Sequence, residues 1–299
     1  ARVVWLNDWY PIKDCIYAIS VDREKRRVLV VFRGAVTRTD WNHSYDAKLK
    51  KVPNPVRDDY PRRKGYVRVY RGFYSYLFRQ RKDTGTRKYD EIVTKVMEYG
   101  TREIGEDYGL VVNGYSLGGA LATLFSMYAS TDERLSRRGS PVRVFTYGSP
   151  YVLGHSFAAA FEHQEKVGKL QHARFYNTRD VVTHLPFNMR PLKGGRFRHV
   201  GVNIKLKGTL LGRRPPAIYY VHYQGFWPSY WRNIKNNTFL NMPLPWKIRH
   251  VHGLPETLRR LKVARQESER SKDPLLHKSL DDVYQVLVES KTAAVERSD

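Results

Sequence analysis

A serine bracketed by glycines, Gly114-Tyr115-Ser116-Leu117-Gly118, stands where an apolar strand-like run over residues 110–113 gives way to a small-residue helical run over residues 117–130. A strand that becomes a helix within one residue forces the corner residue into a strained backbone conformation, with its side chain projecting. Side chains two positions before and two after that corner would collide, so glycine at 114 and 118 is what the turn requires. Gly119-Ala120 then lets the helix lie close on the sheet. The unpaired N–H groups and positive dipole end of the helix face an oxygen that turns negative during acyl transfer. Glycine and serine are common enough for the bare pattern to arise by chance in an ordinary turn, so its weight depends on the rest of the chain.

Strand-like runs at residues 16–21, 28–32, 67–70, 110–113, 142–147, 173–177 and 199–206 alternate with helical stretches at 74–80, 88–102, 117–130 and 156–167. Within 88–102, Ile92, Val93, Val96 and Tyr99 recur at three- and four-residue spacing, the mark of one buried helix face. The alternation predicts an α/β fold with a central, mostly parallel sheet flanked by helices. One main domain is expected over residues 1–263. Residues 264–274 turn to Gln, Glu, Ser, Arg and Lys and read as a linker, after which Leu276, Leu280, Val283 and Leu287 form one face of a C-terminal amphipathic helix. Residues 213–246, with five prolines and nine Tyr, Trp and Phe residues, read as an irregular aromatic insertion.

Charge points to the kind of partner. The 299 residues carry 53 Lys and Arg against 29 Asp and Glu, a formal net charge of +24, so an anionic partner is expected: an acidic membrane surface or nucleic acid. Cys15 is the single cysteine, which excludes an intrachain disulfide and favours a reducing compartment. No run approaches the roughly 20 apolar residues of a membrane span. An intracellular protein peripherally associated with a membrane is the expectation. The numbered sequence opens at Ala1 without an initiator Met or a charged-then-apolar leader, so a mature or trimmed form is expected, with any targeting segment lost to view. The ten histidines are scattered, with only His250 and His252 close together, so neither a metal nor an organic cofactor is expected.

A serine hydroxyl needs a histidine base to act as a nucleophile, and the histidine needs a carboxylate to fix its tautomer. Around a strand–elbow–helix serine the chain order is serine, acid, histidine. Asp180 follows the strand-like Arg174-Phe175-Tyr176-Asn177, the expected place for the acid, although an aspartate before Val181-Val182 would also suit a turn or helix cap. Asp132 comes too soon after the elbow helix. For the base, His252 opens a loop running into a helix, and His250 shares that loop and stays open as the alternative. His184 is too near Asp180, and His199 and His222 sit in strand-like or aromatic surroundings.

Further motifs follow in order: Val30-Val31-Phe32-Arg33-Gly34-Ala35, Asp40-Trp41 and Asp46; Val69-Tyr70-Arg71-Gly72-Phe73; Phe145-Thr146-Tyr147-Gly148-Ser149-Pro150; Asn177-Thr178-Arg179-Asp180; and Phe197-Arg198-His199-Val200-Gly201. With the elbow and His252, they make residues 17–261 resemble the class 3 (fungal-type) lipases of the α/β-hydrolase fold. The resemblance implies Ser116 as nucleophile, Asp180 as acid and His252 as base, with the backbone N–H groups of Leu117 and Ala35 forming the oxyanion hole. It implies a serine carboxylester hydrolase acting on acyl lipids, a triacylglycerol lipase or a phospholipase A-type enzyme. Two rivals are a catalytically silent protein of this fold that binds an anionic membrane or a partner, and an acyltransferase. The chain departs from its relatives in three places: Ala35 where Ser or Thr is usual, Tyr70 where His is common, and Tyr115 where His is frequent.

The same resemblance puts a lid at residues 36–48, with Trp41 and Tyr45 its main apolar side chains. So polar a lid predicts weak activation by neutral emulsions. Arg33 and Asp46 are expected to form a structural ion pair beneath it. Arg213, Arg214, Arg232, Lys235, Lys247 and Arg249 flank the aromatic insertion, a composition suited to docking on an anionic membrane. Arg57, Arg62, Arg63, Lys64, Arg68 and Arg71 could do the same or simply form a solvated face. Aromatic and basic residues together also suit single-stranded nucleic acid, but no nucleic-acid fold motif accompanies them and that partner is disfavoured.

Overall fold

Two apolar runs with no polar interruption, Val28-Leu29-Val30 and Leu110-Val111-Val112, are what strands need when a parallel sheet is covered on both faces, and Val142 and Val144 flank Arg143 in a third strand beside them. They form the centre of the sheet in the computed structural model, which describes residues 1–8, 10, 14–40, 48–56, 65–82, 84–136, 140–186, 197–206, 218–221, 250–270 and 281–282. Strands β1 (Arg2–Asn7), β2 (Tyr17–Asp22), β3 (Arg27–Phe32), β6 (Gly109–Tyr115), β7 (Val142–Tyr147), β9 (Leu170–Asn177), β11 (Val202–Leu206) and β12 (Ile218–Val221) lie in that order across an eight-stranded sheet. The run from β3 through β6, β7 and β9 to β11 is parallel. The edges are antiparallel, β1 on β2 and β2 on β3 at one side and β12 on β11 at the other. A second, four-stranded antiparallel sheet joins β4 (Leu49–Pro53), β5 (Tyr66–Tyr70), β8 (Leu153–Gly154) and β10 (Phe197–Arg198).

The helices that cover the sheet are α1 (Arg71–Phe78), α2 (Lys88–Ile104), α3 (Leu117–Ala129), α4 (Glu133–Ser136), α5 (His155–Lys166) and α6 (Leu254–Arg270). Helix α3 is buried except for part of Tyr128. It has no side-chain cap, so packing rather than end chemistry holds it: Leu121, Leu124, Phe125 and Met127 are at most 1% exposed. At roughly 1.5–3 kcal/mol per side chain, those four contribute far more than the ~1 kcal/mol an N-cap would. In α2 the expected stripe of Ile92, Val93, Val96 and Tyr99 is the buried one. Its first residue, Lys88, is only 2% exposed and is held at 2.6 Å by Asp14 and 2.8 Å by Glu91. Tyr17 donates to Glu91 at 2.8 Å, so this ionic cluster fastens the start of α2 to β2.

Several elements differ from the sequence expectations. Strands β1, β4, β8, β10 and β12 and the short helix α4 were not expected, and the run expected at 199–206 is a strand only from Val202. Helix α6 runs on through residues 264–270, where the composition suggests a linker; Ala264 is buried, and Arg265 pairs with Glu269 one turn on at 2.9 Å. Most of the aromatic insertion, residues 57–64 of the second basic cluster, and the apolar face proposed for the C-terminal helix lie outside the described residues, as do lid residues Trp41 and Tyr45. Among the described residues, no helix is long and apolar enough to cross a membrane, and no His, Cys, Asp and Glu group could hold a metal ion.

Candidate active site

Ser116 takes φ 54° and ψ −120°, the strained left-handed corner that the glycine spacing requires. Steric necessity fixes the neighbours. A Cβ on Gly114 would lie 2.0 Å from the Gly118 carbonyl oxygen, and one on Gly118 would lie 2.2 Å from that of Phe32. The elbow is therefore wedged against the end of β3, and the Ser116 N–H donates to the Tyr147 carbonyl at 2.8 Å, which ties it to β7 as well.

From this corner the Ser116 hydroxyl lies 2.9 Å from His252 Nε2, and His252 Nδ1 lies 2.8 Å from Asp180 Oδ2. The other oxygen, Asp180 Oδ1, accepts the Val182 N–H at 3.0 Å, so the carboxylate presents its free edge to the ring. The acid is buried; the imidazole side chain is 15% exposed. Asp180 sits just past the end of β9, held by the chain turning back on itself: its N–H donates to the Asn177 carbonyl at 3.2 Å and its carbonyl accepts from the Thr183 hydroxyl at 2.7 Å. The three residues singled out in the sequence thus form one hydrogen-bonded chain spanning 137 positions, with Nδ1–H directed at the carboxylate and Nε2 left to accept from the serine.

The alternative histidine is placed elsewhere. His250 is exposed and lies on the preceding turn, whose peptide accepts the Gly253 N–H at 3.2 Å. Asn177 separates the two histidines: its side-chain amide donates to the Val251 carbonyl at 2.7 Å and to the Thr257 hydroxyl at 2.8 Å, gripping the loop between them and the helix after them. Sequence reasoning gave Asn177 no role, although it lies three residues before the acid. His184 and His199 are half-buried, and desolvation with the nearby Arg174 cation drives both below the ordinary imidazole range, His184 to about 4. His199 packs its ring on Tyr151 at 4.0 Å.

Leu117 opens α3 and is buried, so its N–H belongs to the unpaired first turn of the helix. Ala35 is half-buried, three residues past β3, on a loop shaped by Asp40. That carboxylate accepts the N–H groups of Val36 and Thr37, each at 2.9 Å, the Tyr76 hydroxyl at 2.6 Å and the Arg33 guanidinium at 3.0 Å. Burial tends to raise the Asp40 carboxyl, but the bonds from Tyr76, Thr37 and Val36 outweigh it and hold it below the usual range. Asp40, which folds back to satisfy the loop's own N–H groups, is one partner of Arg33 that the sequence reading did not name, and the expected Arg33–Asp46 pair falls on a residue outside the described ones.

Helix α6, which follows His252, begins with Pro255 and Glu256 in its first turn, both favourable there. Glu256 grips Arg259 and Arg260 at 2.7 Å each, and Arg260 donates to the Leu206 carbonyl at the end of β11. Those bonds, Arg259 first, lower the Glu256 carboxyl from 4.5 to about 2 against the opposing effect of burial. A depressed acid stabilises the fold above its unfolded pKa and loses that contribution as pH falls through the folded value. The melting temperature is therefore expected to drop between pH 4.5 and 2, and by less in Glu256→Gln. Equal acid sensitivity of the two proteins in thermal melts would remove Glu256 as a cause.

With this geometry in place, likeness to known proteins takes on meaning. The sequence profile of the class 3 lipases matches residues 29–189, more than half of the chain. The chain belongs to the class 3 lipase family. Among curated relatives of this class 3 lipase chain, phospholipase A1-II 6 of Oryza sativa subsp. japonica is 29% identical over 56% of the chain and 44% of its own length. Phospholipase A1 EG1 of Oryza sativa subsp. indica is 30% identical over 63% and 46%, and phospholipase A1-Igamma1 of Arabidopsis thaliana 33% identical over 56% and 35%. The class 3 lipase chain spans less than half the length of each of these relatives. Among solved structures, MDLA of Penicillium cyclopium is 23% identical with a TM-score of 0.54 over 84% of this chain and 77% of that one. Lipase II from Rhizopus niveus is 22% identical, with a TM-score of 0.51 over 75% and 71%. Both share the fold, and the α/β-hydrolase architecture expected from the sequence is the one observed.

Proposed function

We propose that this protein is a serine carboxylester hydrolase acting on acyl lipids, with Ser116 as nucleophile, His252 as general base and acid, and Asp180 as the group that orients and stabilises the imidazole. The observation that carries this reading is the unbroken chain Ser116 Oγ, His252 Nε2, His252 Nδ1, Asp180 Oδ2, with links of 2.9 and 2.8 Å. In the first half-reaction His252 Nε2 takes the hydroxyl proton as Oγ attacks the ester carbonyl. The oxyanion turns towards the N–H groups of Leu117 and Ala35, and the imidazolium gives its proton to the departing alcohol oxygen. In the second, water loses a proton to the same nitrogen as it attacks the acyl-serine, and the imidazolium returns that proton to the departing Ser116 Oγ as the fatty acid is released. Neither half needs a metal or an organic cofactor.

The substrate favoured is a glycerolipid with a polar headgroup rather than a neutral triacylglycerol. The relatives named as phospholipase A1 support that preference, as does the +24 charge, which would concentrate the protein at an acidic lipid surface. The basic, aromatic residues 213–249 are the segment proposed to make that contact. The silent reading draws no support from an acid, base and hydroxyl all held within hydrogen-bond reach. The decisive experiment combines fluorophosphonate labelling of Ser116 with hydrolysis of anionic phosphatidylglycerol vesicles, galactolipid and triolein emulsion. Labelling at Ser116, with phosphatidylglycerol cleaved fastest at low salt, is the expected result. A folded protein that neither labels nor cleaves any of the three would overturn the reading, and equal rates insensitive to salt would remove the anionic surface from it.

Ala35 lets the oxyanion hole be probed by gain rather than loss. Ala35→Ser would restore the side-chain hydroxyl usual among relatives and is expected to raise kcat about tenfold, less than the hundredfold or more that one preorganised donor can be worth. An unchanged kcat in this variant would mean that the hydroxyl does not reach the oxyanion.

A further inference from the structure

The geometry points to Tyr115 as the positioning residue for the base: its hydroxyl ties down the main chain of His252 and its ring backs the imidazole, keeping Nε2 aimed at Ser116. This inference rests on the hydrolase reading above. Tyr115 is the last residue of β6, immediately before the nucleophile, so it is carried on a central strand paired on both sides, with β3 and β7. Its hydroxyl donates to the His252 carbonyl oxygen, and its ring centroid lies 5.2 Å from that of the imidazole, with the planes 24° apart.

Local sequence shows why the base loop needs an outside donor. The His250 carbonyl accepts from Gly253 N–H, and the Val251 carbonyl from the Asn177 side chain. A turn would satisfy the His252 carbonyl through the N–H three residues on, but that residue is Pro255, which has none. The Tyr115 hydroxyl fills this role, and all three carbonyls of the base loop are held.

The other side of the ring meets the oxyanion loop. A Cβ on Gly34 would lie 3.0 Å from Tyr115 Cδ1, so glycine next to Ala35 makes room for the ring. Tyr115 is thus packed between the loop that carries one proposed oxyanion donor and the loop that carries the base, and a shift in either is felt through it. Burial, and then the negative charge of Asp180, push the phenol well above its ordinary range. The hydroxyl therefore stays protonated, and remains a donor, at any pH at which an ester hydrolase works.

Tyr115→Phe keeps the ring and removes the bond; Tyr115→Leu removes both. On a soluble p-nitrophenyl ester, the Phe variant is expected to lose about tenfold in kcat and the Leu variant about a hundredfold, the scale that a misplacement of about 1 Å brings, with KM within twofold of the parent. A second readout does not depend on turnover. The low-field proton resonance of the His252 Nδ1–H bonded to Asp180 is expected to broaden or disappear in Tyr115→Phe while the melting temperature stays within a few degrees. A Phe variant with parental kcat and an unchanged resonance, one whose loss appears only in KM, or one that unfolds would overturn the positioning role. If the parent itself proves inactive while the resonance still depends on the Tyr115 hydroxyl, the hydrolase reading fails and the positioning stands.

Discussion

Replacing His252 with alanine is expected to lower kcat on a soluble ester by about 10⁶-fold, and Asp180→Asn by about 10⁴-fold, whereas His250→Ala should stay within about twofold of the parent. The ranking follows from what each group does. Without His252 nothing at 2.9 Å can take the Ser116 proton, and a neutral hydroxyl is a poor nucleophile. Without the Asp180 charge the imidazole remains in place but no longer holds Nδ1–H as its stable tautomer, so Nε2 ceases to be the lone pair facing the serine. His250 is exposed, and the ring that meets Ser116 and Asp180 is that of His252. The two histidines are two residues apart on one loop, and Asn177 holds the peptide between them, so the contrast between these variants isolates geometry from composition. Single-turnover measurements with enzyme in excess are the appropriate assay, because residual rates at this level are easily supplied by a contaminating esterase. A His250→Ala protein as impaired as His252→Ala would refute the assignment.

The parts of this site that were legible in the sequence are those fixed by local steric rules. Glycine at 114 and 118 states that backbone must pass backbone at the elbow, and an acid one turn past a strand end states where a carboxylate can face the sheet's rim. The choice between His250 and His252 was not legible, because it depends on a side chain 74 positions from Val251 that grips the loop. Asp40's bond to Arg33 was not legible for a related reason: Asp40 is drawn in by the N–H groups of Val36 and Thr37, a requirement that charge spacing does not reveal. Edge strands were missed where their sequences lack alternation. Leu49-Lys50-Lys51-Val52-Pro53 carries lysines and a proline, which suit an exposed edge and hide its strand character, and β1 shifts register between Val3 and Trp5. Tyr115 was legible only as a departure from relatives; its link to His252 needed the fold to bring β6 and the base loop together.

Gly118→Ala is expected to destabilise the protein by about 3 kcal/mol, the upper end of ordinary overpacking, and to lower its melting temperature by roughly 6 to 12 °C. The new methyl group would lie 2.2 Å from the Phe32 carbonyl oxygen and 2.7 Å from that of Arg33. Both are backbone atoms at the end of a central parallel strand, so neither can rotate aside as a flexible side chain would. Relief has to come from sliding α3 along β3 or from opening the Ser116 corner. Either movement displaces the hydroxyl from His252 and moves the Arg33-Gly34-Ala35 segment, so the surviving folded protein is expected to be much less active than its stability alone implies. Gly109→Ala supplies the control: a Cβ there meets nothing within 4 Å, and removing a glycine from a strand costs nothing in strain, so its melting temperature should stay within a degree or two. If Gly118→Ala melts with the parent and retains its kcat, the elbow is not wedged against β3 and the coupling between fold and nucleophile is weaker than the geometry implies.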